Sequence, residues 1–420
     1  MTHRKSTHEL VKDINEAGGC SHPIRLRGEF VNVATGEVNE RPLLVACKDR
    51  RAVLCPSCSY LYKADAWIVV STGLIGGKGV PATISDHPRL FLTLTAPSFG
   101  TVHSRKSDGS CQPGPLRFCT HGRVQTCSRR HDEADPELGS PLCDFCYRFA
   151  DAVLWNAESS RLWNRTFEQI RRRLAIQLHV PLGELAQHAR LNYLKVAEFQ
   201  RRGLAHFHVV LRLDGPGEPF SPPPPELTTE LLAGIIQSVA KEFSVTGPRG
   251  IISWGRQLQV TDASTLDRDD LRIAAYVAKY ATKSADGSLD FARRFSARSE
   301  ILNINASSHL RQLALTAWDL AQDPALVALN TLGHAHAFGF RGQLITKSRL
   351  YSTRFQDLRD ARAEHMKSPH SDDPVEGSFS YDGRGYDDPR ATAIAEFLHQ
   401  LSVEARKTVK DDETHAGESL

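Results

Sequence analysis

The chain has 420 residues, with 52 Lys and Arg against 49 Asp and Glu, nine cysteines, 18 histidines and 40% hydrophobic residues. A length like this divides into roughly two or three domains, each able to bury its own core, which excludes a peptide or a disulfide-stapled scaffold. The net charge of +3 hides an asymmetry: from Lys367 onward six basic residues face twelve acidic ones, net −6, so residues 1–366 carry +9.

The polar start, Met-Thr-His-Arg-Lys-Ser, and a longest apolar run, around Ala66 to Val70, far short of the roughly 20 residues that span a bilayer, predict a cytoplasmic protein with no membrane contact. Reduced cysteines are expected there, so Cys-x-x-Cys pairs point to metal before disulfides.

Residues 1–45 read as a polar N-terminal extension with one short helix near 8–17. Residues 46–150 are a Cys-rich, zinc-binding segment that brackets one strand candidate, 89–98, where Leu and Thr alternate up to Pro97. Residues 147–179 predict one long amphipathic helix, with Val153, Leu154, Leu162, Trp163, Phe167, Ile170 and Leu174 at three-to-four spacing and Arg171 to Arg173 on a basic face. Two strands, 191–199 and 206–213, flank Gln200-Arg-Arg-Gly-Leu-Ala205 and read as a hairpin. A proline-rich linker at 216–225 leads to a helix near 226–243, a strand near 257–260 and a helix near 269–282. Residues 301–365 are expected to be a basic, mostly helical region, interrupted by the Gly-rich run 339–349; residues 366–420 are expected to be an acidic, largely disordered tail with a short helix at 391–406.

In the strand His206-Phe-His208-Val-Val-Leu, period-2 geometry puts both imidazoles on one face and Phe207 on the other. Two neutral imidazoles suit a divalent cation, and Glu198, across the hairpin, is the natural third ligand. Alone, the His-x-His pair equally suits a solvated strand face. Tyr276 and Tyr280 lie four apart on one helical face, with Lys279 and Lys283 as a second four-residue pair beside them. Alone, these tyrosines read as core packing. The pairs Cys55-x-x-Cys58 and Cys143-x-x-Cys146 have the spacing of structural zinc sites. One set is expected to join Cys47, Cys55 and Cys58 to Cys20 or His22, the other Cys119, Cys127, Cys143 and Cys146. His121 and His131 are further candidates, and Cys111 is expected to be unused. Arg201, Arg202, Arg341, Lys347 and Arg349 are the foremost candidates for phosphate contact, with Gly339 and Gly342 letting backbone approach.

In this order, a Leu-Thr-Leu-Thr strand, a His-x-His strand preceded by Glu, and a helix with Tyr-x3-Tyr-x2-Lys, the chain resembles the HUH endonucleases, in particular the two-tyrosine initiators of rolling-circle replication. The segments 197–208, 276–283 and 339–349 look like the replication initiators of actinobacterial plasmids and integrative conjugative elements, a resemblance running from about Cys47 to Arg362. It implies an α+β fold with a central antiparallel sheet of HUH type, the endonuclease core spanning 151–300, DNA binding by the basic region 301–365, and Thr93 and Thr95 marking a supporting strand. It further implies Mg²⁺ or Mn²⁺ on His206, His208 and Glu198; attack by Tyr276 or Tyr280 giving a 5′-phosphotyrosine and a 3′-OH primer; and charge stabilisation by Lys283 and Lys279. The implied partners are double- and single-stranded origin DNA, a host helicase and a polymerase. Two rivals stand beside this reading. A conjugative relaxase usually places its tyrosine before the His motif, whereas here it follows by about 70 residues. A zinc-containing DNA-binding regulator would have no catalysis at all.

Overall fold

The computed structural model describes residues 5–33, 36, 38–40, 43–263, 273–275, 277–279, 293–366 and 375–417. The chain divides into two compact units, one built from its two ends, Met1–Ile68 and Arg354–Leu420, the other mainly from Val69–Ser284 and Leu289–Thr353.

The larger unit is organised by a five-stranded sheet of β1 (Arg89–Leu94), β2 (Arg190–Phe199), β3 (Ala205–Asp214), β4 (Leu258–Asp262) and β5 (Ile345–Lys347). The order is β4-β1-β3-β2-β5, antiparallel throughout. Long helices α1 (Phe149–Gln177), α2 (Thr229–Glu242) and α3 (Ser308–Leu320) accompany it. This mixed helix and antiparallel-sheet architecture agrees with the expected α+β class. The alternation in β1 and β3 sends Leu90, Leu92, Leu94, Phe207, Val209 and Leu211 to one face, where they share a buried core with Val153, Leu162, Trp163 and Ile170 of α1. Residues 301–365 are less helical than expected: two 3₁₀ helices, Pro324–Leu329 and Leu332–Ala337, follow α3, and the Gly-rich run supplies β5, an edge strand on β2.

The β2–β3 turn is fixed from below. Asn156 of α1 donates to the carbonyls of Gly203 (2.9 Å) and Phe338 (3.0 Å) and accepts from the Ala205 N–H (2.9 Å). Gly203 sits at φ +72°, and a Cβ there would lie 2.5 Å from Leu313 Cδ1 of α3, so the turn requires glycine.

One lysine lies in this core. Lys195 is 2% exposed, with its amine 4.2 Å from the centre of the Phe207 ring. Burial pushes its pKa down to about 8 from an ordinary 10.5. Because the folded value is the lower one, the penalty is full below about pH 8 and disappears as pH rises through 10.5. Lys195→Met is therefore expected to stabilise the protein at pH 7 by about 2 kcal/mol, and to flatten the parent's gain in stability between pH 8 and 10. Denaturant unfolding at the two pH values checks both.

The smaller unit pairs strand Ile24–Asn32 antiparallel with Val375–Arg384, running from Ile24 opposite Arg384 to Asn32 opposite Val375. On its other edge lie the short strands Val38–Glu40 and Leu43–Val45. Helix Thr7–Glu16 opens with a capping box in which Ser6 and Glu9 satisfy each other's backbone. It packs Leu10 and Ile14 on Ala391 and Ala395 of helix Pro389–Gly417. The expected disordered tail is thus corrected over 375–417. Its acidic residues find basic partners far away in sequence: Asp382 pairs with Arg27 at 3.3 Å and Asp387 pairs with Arg25. Helix Pro56–Ile75, which the sequence reading did not single out, begins in this unit. Among the described residues no helix is long and apolar enough to cross a membrane.

Candidate active site and metal centres

Three neighbouring strands bring the predicted polar residues together. In register, His208 of β3 lies opposite Thr93 of β1 on one side and Val196 of β2 on the other, and His206 lies opposite Glu198. Directly opposed residues share a sheet face, so Thr93, His206, His208 and Glu198 all project the same way. The His208 Nε2 and Glu198 Oε2 are 3.4 Å apart, His208 Nδ1 and Thr93 Oγ1 3.5 Å, and the two imidazole centroids 4.6 Å. Phe91 stacks on His208 at 5.8 Å with the rings 8° from parallel, which holds that ring's plane. His208 is 2% and Glu198 8% exposed, while His206 is half-buried, so the site opens at the His206 end. Thr95 donates to the Gln257 carbonyl (2.8 Å) and anchors the segment before β4.

Gln200 links this site to the turn. Its amide oxygen accepts from Arg202 Nε (2.8 Å) and its amide nitrogen lies 3.4 Å from His206 Nδ1. Arg202 also donates to the carbonyls of Pro97 (3.0 Å) and Ala96 (2.9 Å). That guanidinium, an expected DNA contact, brackets the β2–β3 turn against the end of β1. The Lys347 amine is likewise engaged by backbone, donating to Ser352 O at 2.7 Å. Arg201, Arg341 and Arg349 are exposed, and Arg201 donates to the Glu133 carbonyl. The glycines around Arg341 serve packing: a Cβ on Gly339 would lie 2.9 Å from the Val153 carbonyl and one on Gly342 2.3 Å from Ser160 Oγ, both on α1.

Residues 273–275 and 277–279 are helical, with Ala274 and Val277 fully buried and Lys279 exposed. Tyr276, Tyr280 and Lys283 lie outside the described residues.

The cysteines form groups that can hold a metal such as zinc, with all ligand atoms in each group within 4.8 Å of one another: Cys20, Cys47, Cys55 and Cys58; Cys119, His121, Cys143 and Cys146; and His103, Cys111, Cys127 and His131. Of the two expected alternatives, the first group contains Cys20 and not His22. In the second, His121 stands where Cys127 was expected. Cys127 lies elsewhere with Cys111, which is not a spare thiol. The reason is strand pairing: Cys127 opens the strand Cys127–Arg130, which pairs with Ser110–Gln112 and so meets Cys111. His103 escaped the sequence reading, and the spacing Cys127-x3-His131 was the available signal.

In the first group Cys20 and Cys55 sulfurs lie 3.7 Å apart, and the N–H groups of Cys47 and Asp49 point at the sulfurs of Cys20 (3.3 Å) and Cys47 (3.4 Å). Cys55 immediately precedes helix Pro56–Ile75 and Cys58 lies in its first turn, where the helix dipole favours thiolate. Contacts with Cys20 and Cys58 hold the Cys55 thiol far below the usual range, and the same contact raises Cys20 to about 12. In the second group the sulfurs of Cys119, Cys143 and Cys146 lie 3.9, 3.9 and 3.3 Å from His121 Nδ1.

Residues 6–400 match the family model described as "Replication initiator protein, pSAM2" (RepSA). The chain is also similar to a "Replication initiator protein" of Streptomyces ambofaciens, 35% identical over 427 residues that cover 95% of this chain and 90% of the relative. No solved structure matches.

Proposed function

The chain belongs to the RepSA family of replication initiators, and on that premise we propose that it opens rolling-circle replication by a metal-dependent, site-specific nick in origin DNA. The observation that carries this reading is the convergence of His206, His208, Glu198 and Thr93 from three adjacent strands, with His208 Nε2 and Glu198 Oε2 at 3.4 Å. Two imidazole nitrogens and one carboxylate, closed on the Phe91 side and open at His206, fit a divalent cation that accepts both nitrogen and oxygen ligands and keeps other positions for water or phosphate, which favours Mn²⁺ over the harder Mg²⁺. When bound, Mg²⁺ or Mn²⁺ supplies Lewis-acid polarisation of the scissile phosphate. Glu198 balances the cation's charge, Phe91 and Thr93 fix the His208 ring, and the Arg202–Gln200 pair orients His206.

By resemblance to the HUH endonucleases, the nucleophile is Tyr276 or Tyr280. The tyrosine oxygen forms a bond to phosphorus as its phenol proton leaves to solvent or a base, the bond to the 3′ oxygen breaks, that oxygen takes up a proton from solvent, and the products are a 5′-phosphotyrosine and a 3′-OH primer. Lys279, exposed on its helix, and Lys283 stabilise charge on the transferring phosphate. Arg201, Arg341 and Arg349 are the exposed cations offered to origin DNA, the nicked element being a plasmid or an integrated element; a helicase and a polymerase of the host would then extend the primer. Cys20, Cys47, Cys55 and Cys58, and Cys119, His121, Cys143 and Cys146, bind structural Zn²⁺ in closed four-ligand sites.

Purified protein with Mn²⁺ is expected to nick a supercoiled plasmid carrying its origin and to stay covalently attached to the 5′ end, with the adduct located by mass spectrometry. Tyr276→Phe and Tyr280→Phe are each expected to slow nicking, and the double change to abolish it. Unchanged nicking in the double variant, or a 3′ linkage, defeats the two-tyrosine reading, and no nicking by the parent with Mn²⁺ leaves a non-catalytic DNA-binding regulator.

A further inference from the structure

We infer that His103, Cys111, Cys127 and His131 form a third metal centre, a closed Cys2His2 site for one Zn²⁺ set among the loops that seat the β2–β3 turn. It lies beyond the two cysteine-paired groups and stands whether or not the chain cuts DNA.

The ligand spacing is that of a tetrahedron around zinc. With Zn–N about 2.05 Å and Zn–S about 2.3 Å, two nitrogens sit roughly 3.3 Å apart and a nitrogen and a sulfur roughly 3.6 Å apart. Here His103 Nδ1 and His131 Nε2 are 3.3 Å apart, Cys127 Sγ and His131 Nε2 3.6 Å, and Cys111 Sγ and His103 Nδ1 3.7 Å. Cys111, Cys127 and His131 are buried, at 0%, 8% and 2% exposure, as a site closed to substrate requires. The outer partners also fit. Asp135 Oδ2 accepts from His131 Nδ1 at 2.7 Å, which fixes the tautomer and leaves the Nε2 lone pair aimed at the centre. The Ser104 N–H donates to Cys111 Sγ at 3.3 Å. Binding replaces two thiol protons by the metal and releases them to solvent.

The surrounding backbone ties the site to the turn. His103 exchanges hydrogen bonds with Gly139 and Ser140 (2.9 and 2.8 Å), and Arg105 Nε donates to the His131 carbonyl (3.1 Å). Gly139, at φ +87°, packs so closely that a Cβ there would lie 2.4 Å from the Arg201 carbonyl carbon. The ion would therefore hold the 131–140 loop under the turn that joins Glu198 to His206.

Native mass spectrometry of the full chain, purified without chelator, is expected to give three zinc ions per chain. Alkylation mapped by mass spectrometry is expected to find Cys111 and Cys127 protected before chelation and reactive after it. Cys127→Ser is expected to leave two zincs; if that variant does not fold, the alkylation map of the parent decides alone. Alkylation of Cys111 and Cys127 in the zinc-loaded protein overturns the inference, as does a zinc count that folded Cys127→Ser leaves unchanged. Asp135→Asn, a change outside the ligand set, is expected to weaken retention of one zinc of the three about 10- to 100-fold in chelator competition. If Asp135 were only a loop contact, zinc retention would not move.

Discussion

His206→Ala and His208→Asn are each expected to lower single-turnover cleavage of an origin oligonucleotide with Mn²⁺ by roughly 10²- to 10⁴-fold, that is about 3 to 5 kcal/mol of lost transition-state stabilisation. His206 is half-buried at the open end of the site, so truncation removes a donor without emptying the core. His208 is 2% exposed and stacked on Phe91, and asparagine keeps a polar side chain beside Thr93 and Glu198. Both variants are expected to stay folded, with thermal midpoints within a few degrees of the parent. Cleavage within threefold of the parent in both would remove the two histidines from the chemistry.

The largest loss of stability is expected six residues further along the same strand, where Arg212 is fully buried. All five of its N–H groups are used: Nε and Nη2 donate to Asp214 (2.7 and 2.9 Å), Nη1 to the carbonyls of Gly73 (2.7 Å) and Tyr351 (2.9 Å), and Nη2 again to Leu350 O (3.1 Å). Asp214 takes further bonds from His87 (2.8 Å) and Asn192 (2.7 Å). Burial opposes the Asp214 charge, yet the bonds from His87 and Arg212 outweigh it and hold the carboxyl below its ordinary range. Arg212→Leu strands that carboxylate in the core and leaves three carbonyls without their donor. The expected cost is about 3 to 5 kcal/mol, a fall in thermal midpoint of roughly 10 °C for a unit of this size. The sign with pH follows from the depressed value: in the parent this contribution is complete above about pH 4 and is lost as pH falls toward the folded pKa. Acid unfolding of parent and variant should therefore converge, and a constant difference down to pH 2 would contradict this account.

Short-range pattern carried much of this into the sequence. Alternation placed β2 and β3 within a residue or so of their observed ends, because one face of each strand meets α1 and the other carries the polar site. The periodicity of α1 was equally legible, since its buried stripe is continuous from Ala152 to Leu174. Neighbour order was not: nothing local says that Thr93 lies beside His208, or that residues 345–347 join the sheet edge. The surroundings of the basic residues were not legible for the same reason. Arg202 and Arg201 are adjacent and chemically alike, but only Arg202 has the carbonyls of Ala96 and Pro97 within reach, and those come from another strand's end. Cysteine pairs three apart announce the first two groups, whereas the third offers only the spacing of Cys127 and His131, and His103 and Cys111 join them once two short strands pair.

The pairing of Ile24–Asn32 with Val375–Arg384 also sets a timetable for synthesis. Ile24 meets Arg384, 360 residues later, and at about 5 to 20 residues per second the ribosome takes roughly 20 to 70 s to deliver that partner. For that interval the strand Ile24–Asn32 waits with an open edge, the kind that recruits neighbouring nascent chains. Cys20, Cys47, Cys55 and Cys58 can all meet once residues 20–58 are made, so a metal bound there would help to order this unit before its closing strand arrives.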